Sequence, residues 1–190
     1  MLLRGLCQRA QVADISEASL LKARRLFYGL GLTDRAWFCV GDGAQALVEK
    51  PDVAVIAGMG GQTIAGIVER GRETLLGARV VMQPNVAAPE LRARLQAAGF
   101  CITNEVIARD GRRLYLILAA QSGPMRLSPE EIEVGPILLK TRPPELESYA
   151  AFRLRVARKA LEGARMARRE TRDFEREIRI WEAVSHGGRS

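Results

Sequence analysis

Residues 53–58, Val-Ala-Val-Ile-Ala-Gly, are apolar without a break and run into Gly58-Met59-Gly60-Gly61. A short apolar run that does not alternate, and that stops at glycines, reads as a strand buried on both faces. Such a strand needs a parallel sheet with helices packed against it. The flanking sequence supplies both. Gly60 onward reads as a helix to about Leu75, and Ala78 to Gln83 as a second buried strand, broken by Pro84. Pro89 opens the next helix at its N1 position and Gly99 closes it. Upstream, Gln11 to Ile15 reads as a short strand. A helix follows with Ala18, Leu21, Ala23, Leu26 and Leu30 at helical spacing, capped by Ser16 and ended by Gly29 and Gly31. Ala36 to Val40 is a further strand, then Gly41-Asp42-Gly43 and a short helix over Ala44 to Val48. Two apolar runs flank Asp110-Gly111, a strong hairpin signal. The chain is thus an α/β domain whose β-α alternation closes in an antiparallel pair.

Three segments follow from this pattern: an α/β domain over 1–120, a connector rich in Pro and Gly over 121–144, and a helical hairpin over 145–190. Glu145 to about Ala167 carries Tyr149, Phe152, Val156 and Ala160 on one face. Arg172 to about Val184 carries Phe174, Ile178 and Trp181. A short turn near Arg169 to Arg172 folds them into an antiparallel pair.

Composition removes several kinds of chemistry. Cys7, Cys39 and Cys101 are far apart, and His186 is the only histidine. Zinc needs clustered thiolates and imidazoles, so no metal is expected. A Ser-His-Asp or Cys-His nucleophile is equally unsupported. No apolar run approaches the ~20 residues that cross a bilayer, and the first residues lack a signal-peptide pattern, so a cytoplasmic chain is expected. Lys and Arg number 29 against 22 Asp and Glu, a net charge of +7. That excess suits a polyanion such as nucleic acid, or else reflects an arginine-rich composition.

Ligands of open α/β sheets bind beyond the carboxyl ends of the strands. Asp14, followed by Ile15, ends the first strand, where a carboxylate can accept from both ribose hydroxyls of an adenosine. Asp42 lies in Gly-Asp-Gly, where it can accept from the adenine amine. Gly58-Met59-Gly60-Gly61 and Gln83-Pro84-Asn85 end the next two strands. An Asp in such a place also serves as a helix cap or turn former, and a glycine turn also permits close packing. The dinucleotide fingerprint GxGxxG is not met, because its third glycine is Thr63. The acids precede the glycines, an order that suits a methyl-donor fold better than a nicotinamide one.

The series VADIS, GDGAQAL, IAGMGGQTI and VMQPN, then LRARLQAAGF, NEVIARDGRRLY and VGPILL, resembles the bacterial tRNA (adenine(22)-N(1))-methyltransferases, the TrmK family. The resemblance implies a Rossmann-like fold with a C-terminal coiled-coil helix pair. It implies S-adenosyl-L-methionine as cofactor and methyl transfer to N1 of an adenine in the D-arm region of tRNA. By position, Asp14 and Ile15 match the ribose side and Asp42, Gly43 and Ala44 the adenine side. Gly58 and Met59 match the wall beside the sulfonium. Gln83 and Asn85 fall where adenine methyltransferases hold the target base, without the usual Asn/Asp-Pro-Pro-aromatic motif, and stand as the catalytic candidates.

The family pattern opens with a further strand, an Asp-Ile-Gly-type turn and an Asp-His pair. Here MLLRGLCQRA matches only the tail of the helix that follows them. In that fold the strand is central, between those ending in Asp14 and Gly58. The resemblance therefore implies a sequence truncated at its N-terminus, or else strands at Val12 and Val53 that close against each other. Unpaired buried backbone groups cost ~1–3 kcal/mol each, against a domain stability of ~5–15 kcal/mol.

Three functions stay open on this reading: methyl transfer, an RNA-binding remnant without catalysis, and another nucleotide-binding enzyme. Arg153, Arg158, Lys159, Arg165, Arg168, Arg169 and Arg172 are the candidate phosphate contacts. Their alternative is a solvated helix face with pairs such as Arg158–Glu162 and Glu175–Arg179.

Overall fold

The structure is a computed structural model that describes residues 1–186. The expected hairpin boundary at residue 190 lies outside them. Strand β1 is Ala10–Asp14, helix α1 Glu17–Gly29 and strand β2 Ala36–Val40. A 3-10 turn, Gly43–Ala46, leads to β3 (Val53–Met59). Next come α2 (Gly61–Arg70), α3 (Arg72–Leu75), β4 (Arg79–Pro84) and α4 (Ala88–Ala97). The hairpin strands are β5 (Phe100–Asp110) and β6 (Arg113–Ser122), and Gly111 between them takes a left-handed φ of 54°. Helices α5 (Pro129–Glu133), α6 (Pro136–Thr141), α7 (Glu145–Met166) and α8 (Arg172–His186) complete the described chain.

The strands form two sheets. β1 pairs with β2 in parallel, and a four-stranded sheet runs β3-β4-β6-β5. β3 and β4 are parallel, while β6 is antiparallel to both its neighbours. The strands at Val12 and Val53 do not close up. Between them lies a trough of about 900 Å³, lined by Leu2, Leu6, Ala13, Val55, Ile56 and Leu75 among others.

This parting corrects one expectation. β3 is an edge strand, and Val53 and Val55 stay 42% and 60% exposed. Among the described residues no strand lies beside that edge, so the apolar run that reads as doubly buried is covered on the α2 side only. There Ala54 and Ile56 pack against a core that includes Ile64, Val68, Val80, Met82, Leu91 and Leu118. The smaller sheet has its own cover. Leu20 of α1 is buried and Phe27 meets Phe38 edge-on at 5.4 Å, whereas Leu21, Leu26 and Leu30 are exposed, contrary to the helical spacing. A sheet of two strands is too narrow to cover more of the helix.

The connector over 121–144 is not a plain loop, since it contains α5 and α6. Ser128 caps α5 in a capping box with Glu131. A buried ion pair fixes both helices to the sheet. Arg92 of α4 donates through Nε to Glu105 of β5 at 2.8 Å, with both side chains at 1% exposure or less. Its Nη1 donates to the carbonyls of Ile132 and Glu133, and its Nη2 to that of Val134. The second Glu105 oxygen accepts from the backbone N–H of Ile137 at 2.9 Å, at the start of α6. Gly135 is obligatory here: φ is 119°, and a Cβ would sit 2.4 Å from the Glu105 carboxylate. Removing one partner of such a pair costs about 3–5 kcal/mol, because the other charge stays buried alone.

Helices α7 and α8 run antiparallel, since Tyr149 meets Trp181, Arg153 meets Glu177 and Arg165 meets Glu175, while Arg158 also pairs with Glu182. The buried face of α7 is Leu146, Tyr149, Ala150, Ala157 and Ala164, while Phe152 and Val156 are 41% and 47% exposed. The expected face was rotated by part of a turn, because α7 must serve both α8 and the sheet. Trp181 of α8 is fully buried against Tyr149, and its indole N–H donates to Glu133 of α5 at 2.7 Å. Arg153 is a correction too. It pairs with Glu133 and Glu177, stacks over Trp181 and is not a free phosphate contact.

Burial lifts the Glu133 carboxyl above the ordinary carboxylate range, against the Trp181 hydrogen bond and Arg153, which pull it down. The folded state therefore holds the proton more tightly than the unfolded chain, and this stabilisation fades as pH rises through the raised value. Glu133→Gln removes that titration. Wild-type stability minus that of the variant should fall in urea unfolding as pH rises through and above the ordinary carboxylate range. A difference that rises with pH would contradict this reading of Glu133.

Candidate active site

Each sequence-predicted site residue lies at a strand end, but the ends form two groups. At the first, an Asp14 carboxylate oxygen accepts from the Ser16 backbone N–H at 2.7 Å, and the Ser16 hydroxyl caps α1 through Ser19. Asp14 thus shapes the turn with one oxygen and keeps its other oxygen without a protein partner among the described residues. Ile15 beside it is 76% exposed. The Gly41 N–H donates to the Asp14 carbonyl at 3.1 Å, which brings the Gly-Asp-Gly turn alongside.

Asp42 is engaged. Arg70 of α2 grips it with two donors, Nε at 2.9 Å and Nη2 at 3.0 Å. A bidentate guanidinium fork is among the stronger polar contacts a carboxylate can make. The turn after it is wedged against the same helix. A Cβ on Gly43 would meet Ile67 at 2.6 Å, and one on Gly71 would meet Ala44 at 2.4 Å. Ala44 is buried, so its methyl faces the core.

The second group surrounds the end of β3. Gly58 has φ 78°, and a Cβ there would meet nothing within 4 Å. The left-handed backbone turns one open face outward beside Met59, which is 40% exposed. Gln83 latches this turn. Its Oε1 accepts from the Gly58 N–H at 3.0 Å, and its Nε2 donates to Asn85 Oδ1 at 3.1 Å. The Asn85 N–H donates to the Met59 carbonyl, and the Gly61 N–H to that of Val86, both at 2.8 Å. Asn85 itself is exposed, with its amide N–H groups pointing to no protein acceptor among the described residues.

The structure therefore joins Asp14 to the Asp42 turn, and Gly58 and Met59 to Gln83 and Asn85. Of these residues, Gly43, Ala44 and Met59 line the trough between the sheets. Asp42 is held at the last turn of α2 and Gly58 leads into its first, so the ten residues of that helix, about 15 Å, separate the attachments. Arg70 escapes a sequence reading, because its partner is 28 residues away. The latch by Gln83 escapes it as well, although a polar residue ending a buried strand is a signal that it has a local partner.

A family model described as tRNA (adenine(22)-N(1))-methyltransferase matches residues 1–183. The chain belongs to that family. It is 31% identical over 141 residues to the tRNA (adenine(22)-N(1))-methyltransferase of Bacillus subtilis, a match covering 70% of this chain and 59% of that protein. It is 33% identical over 132 residues to a candidate tRNA methyltransferase of Mycoplasma genitalium, covering 67% and 58%. The chain thus spans somewhat over half the length of the curated relatives it matches. A candidate tRNA (m1A22) methyltransferase of Streptococcus pneumoniae, solved in complex with S-adenosyl-L-methionine, superimposes with a TM-score of 0.85 at 29% identity. That superposition covers 97% of this chain and 85% of the other, and it establishes the Rossmann-like methyltransferase fold. No helix of the described residues is long and apolar enough to cross a membrane.

The Gln83 latch has a measurable consequence. Gln83→Leu should cost roughly 1 kcal/mol of stability, the net value of an ordinary hydrogen bond, and should speed hydrogen exchange at the Gly58 amide. Unchanged exchange at Gly58 would show that the turn holds itself.

Proposed function

We propose that this chain transfers a methyl group from S-adenosyl-L-methionine to N1 of adenine 22, in the D-arm region of tRNA. The observation that carries the reading is the open, left-handed Gly58 turn, tied through Gln83 to the exposed amide of Asn85 in a member of this family. That arrangement puts a polar side chain next to a patch of backbone that a flat ligand or a sulfonium can approach closely.

The residues present fit the cofactor at three points and resist it at one. The unengaged oxygen of Asp14 suits ribose hydroxyls. The Gly43 backbone and the Gly58–Met59 turn stand at strand ends, where a nucleoside and its side chain would lie. Asp42 can accept from an adenine amine only by sharing its carboxylate with Arg70. When bound, S-adenosyl-L-methionine supplies a methyl group that the lone pair of adenine N1 takes without prior deprotonation. The work of the protein is therefore orientation and exclusion of water. Asn85 would accept from the exocyclic amine of the target through the second lone pair of Oδ1. Gln83 would hold Asn85 and Gly58 in register, a positioning role.

The competing reading is RNA binding without transfer. One assay divides the two. With tritiated methyl donor and tRNA transcripts carrying A22 or G22, transfer predicts label in the A22 transcript alone, and Asn85→Ala lowers the rate ~10²-fold, the usual size of a lost orienting contact. Binding of tRNA with no label in A22 supports the second reading and overturns the first.

A further inference from the structure

Several arginines of the α7–α8 hairpin are neutralised by carboxylates of the same hairpin or of α5. Arg153, Arg158 and Arg165 each meet a glutamate within 3.3 Å. Arg155, Arg168, Arg169, Arg176 and Arg179 form no ion pair among the described residues, and two of these share one place. A cleft of about 610 Å³ opens between α5, α6 and α8, with Arg142, Arg176 and Arg179 on its rim. Its floor is apolar, made by Leu139, Ile180 and Ala183. Glu130 is the one carboxylate in its lining among the described residues. Neither Arg176 nor Arg179 forms an ion pair among the described residues, and both side chains are exposed.

The cleft is built into the fold. Arg142 ends α6 with a left-handed φ of 43°, a conformation disfavoured for a residue with a side chain. Its Nη2 donates to the Val184 carbonyl at 2.8 Å, which ties the end of α6 to α8. Four of its five guanidinium N–H donors remain, held on a side chain whose position is already fixed. Arg176 and Arg179 are three apart on α8, so they project side by side from one face. Three guanidiniums against one carboxylate leave a local positive excess over an apolar floor. A phosphodiester fits the rim, because a guanidinium fork matches phosphate oxygens in bidentate geometry. A ribose or unstacked base fits the floor, as single-stranded and loop RNA commonly rests on apolar and arginine surfaces.

We propose that this cleft is an RNA phosphate site, in which Arg142, Arg176 and Arg179 seat a backbone segment of the tRNA substrate away from the strand ends. The proposal rests on the tRNA reading above and names the surface it uses. It replaces Arg153 and the paired arginines Arg158 and Arg165 as the contacts expected from sequence.

The test compares full-length chains in fluorescence-anisotropy titrations of labelled tRNA over a series of salt concentrations. Arg176→Ala/Arg179→Ala should weaken binding on the order of tenfold at low salt and flatten the slope of log K against log[salt] by about one to two. Arg109→Ala/Arg112→Ala, at the turn between β5 and β6, removes the same charge elsewhere and should change affinity much less. Arg176→Lys/Arg179→Lys keeps the charge without the fork and should fall between. All three pairs are on exposed residues, and thermal melts verify that they fold. Equal losses in the first two pairs overturn the site, since net charge alone would then explain them. Unchanged affinity and slope in the first pair, with wild type still binding and methylating tRNA, overturn this site and leave the function standing. Failure of wild type to bind tRNA overturns both. Equal affinity of wild type for polyglutamate, lost in the first pair, assigns the cleft to acidic protein and overturns the RNA occupant.

Discussion

The buried pair of Arg92 and Glu105 determines how the C-terminal half of the molecule is assembled. Arg92 comes from α4 and Glu105 from β5, yet their remaining hydrogen-bonding capacity goes to the backbone from Ile132 to Ile137. A charge in the interior is tolerable only when it is paired and its other donors and acceptors are satisfied. The segment after β6 must therefore pass over the pair, place Gly135 beside the carboxylate and start α6 there. That path aims Glu133 at Trp181 and Arg153, which docks the helical hairpin. The cleft between α5, α6 and α8 is a product of the same route.

The N-terminal half follows a different logic. There the two sheets share no ladder, and the Gly43–Ala46 turn on α2, with the Asp42–Arg70 pair, ties them together. Of the candidate residues, Gly43, Ala44 and Met59 line the resulting trough. An adenosine-bearing ligand laid across the strand ends would touch Asp14 on one sheet and the Gly58 turn on the other. Such a ligand would itself join the two sheets, so binding and local stability are coupled here by mass action.

Much of this was legible in the sequence because it is local. Ser16 caps α1, Pro89 lies in the first turn of α4, and Asp110-Gly111 turns the hairpin, each through interactions within a few residues. The strand ends carrying Asp14, Asp42, Gly58 and Gln83 were legible by the same means, and the motifs around them led to the family. What escaped depends on partners distant in the chain. The burial of Val53 and Val55 depends on a neighbour for β3, and the pairing of Arg153, Arg70 and Arg92 on carboxylates 13 to 28 residues away. Phe152 and Val156 read as core because α7 is amphipathic overall, but which face wins depends on where Trp181 and the sheet lie.

The central claim is that the two groups of strand ends act as one adenosine-cofactor site across the trough. Hydrogen–deuterium exchange of the full chain, with and without S-adenosyl-L-homocysteine, tests it directly. The account predicts slower exchange on both sides together, at Asp14–Ser16 and Gly41–Ala44 and at Gly58–Gly61, with α7 and α8 unchanged. Protection of one group alone, or of neither, would contradict it.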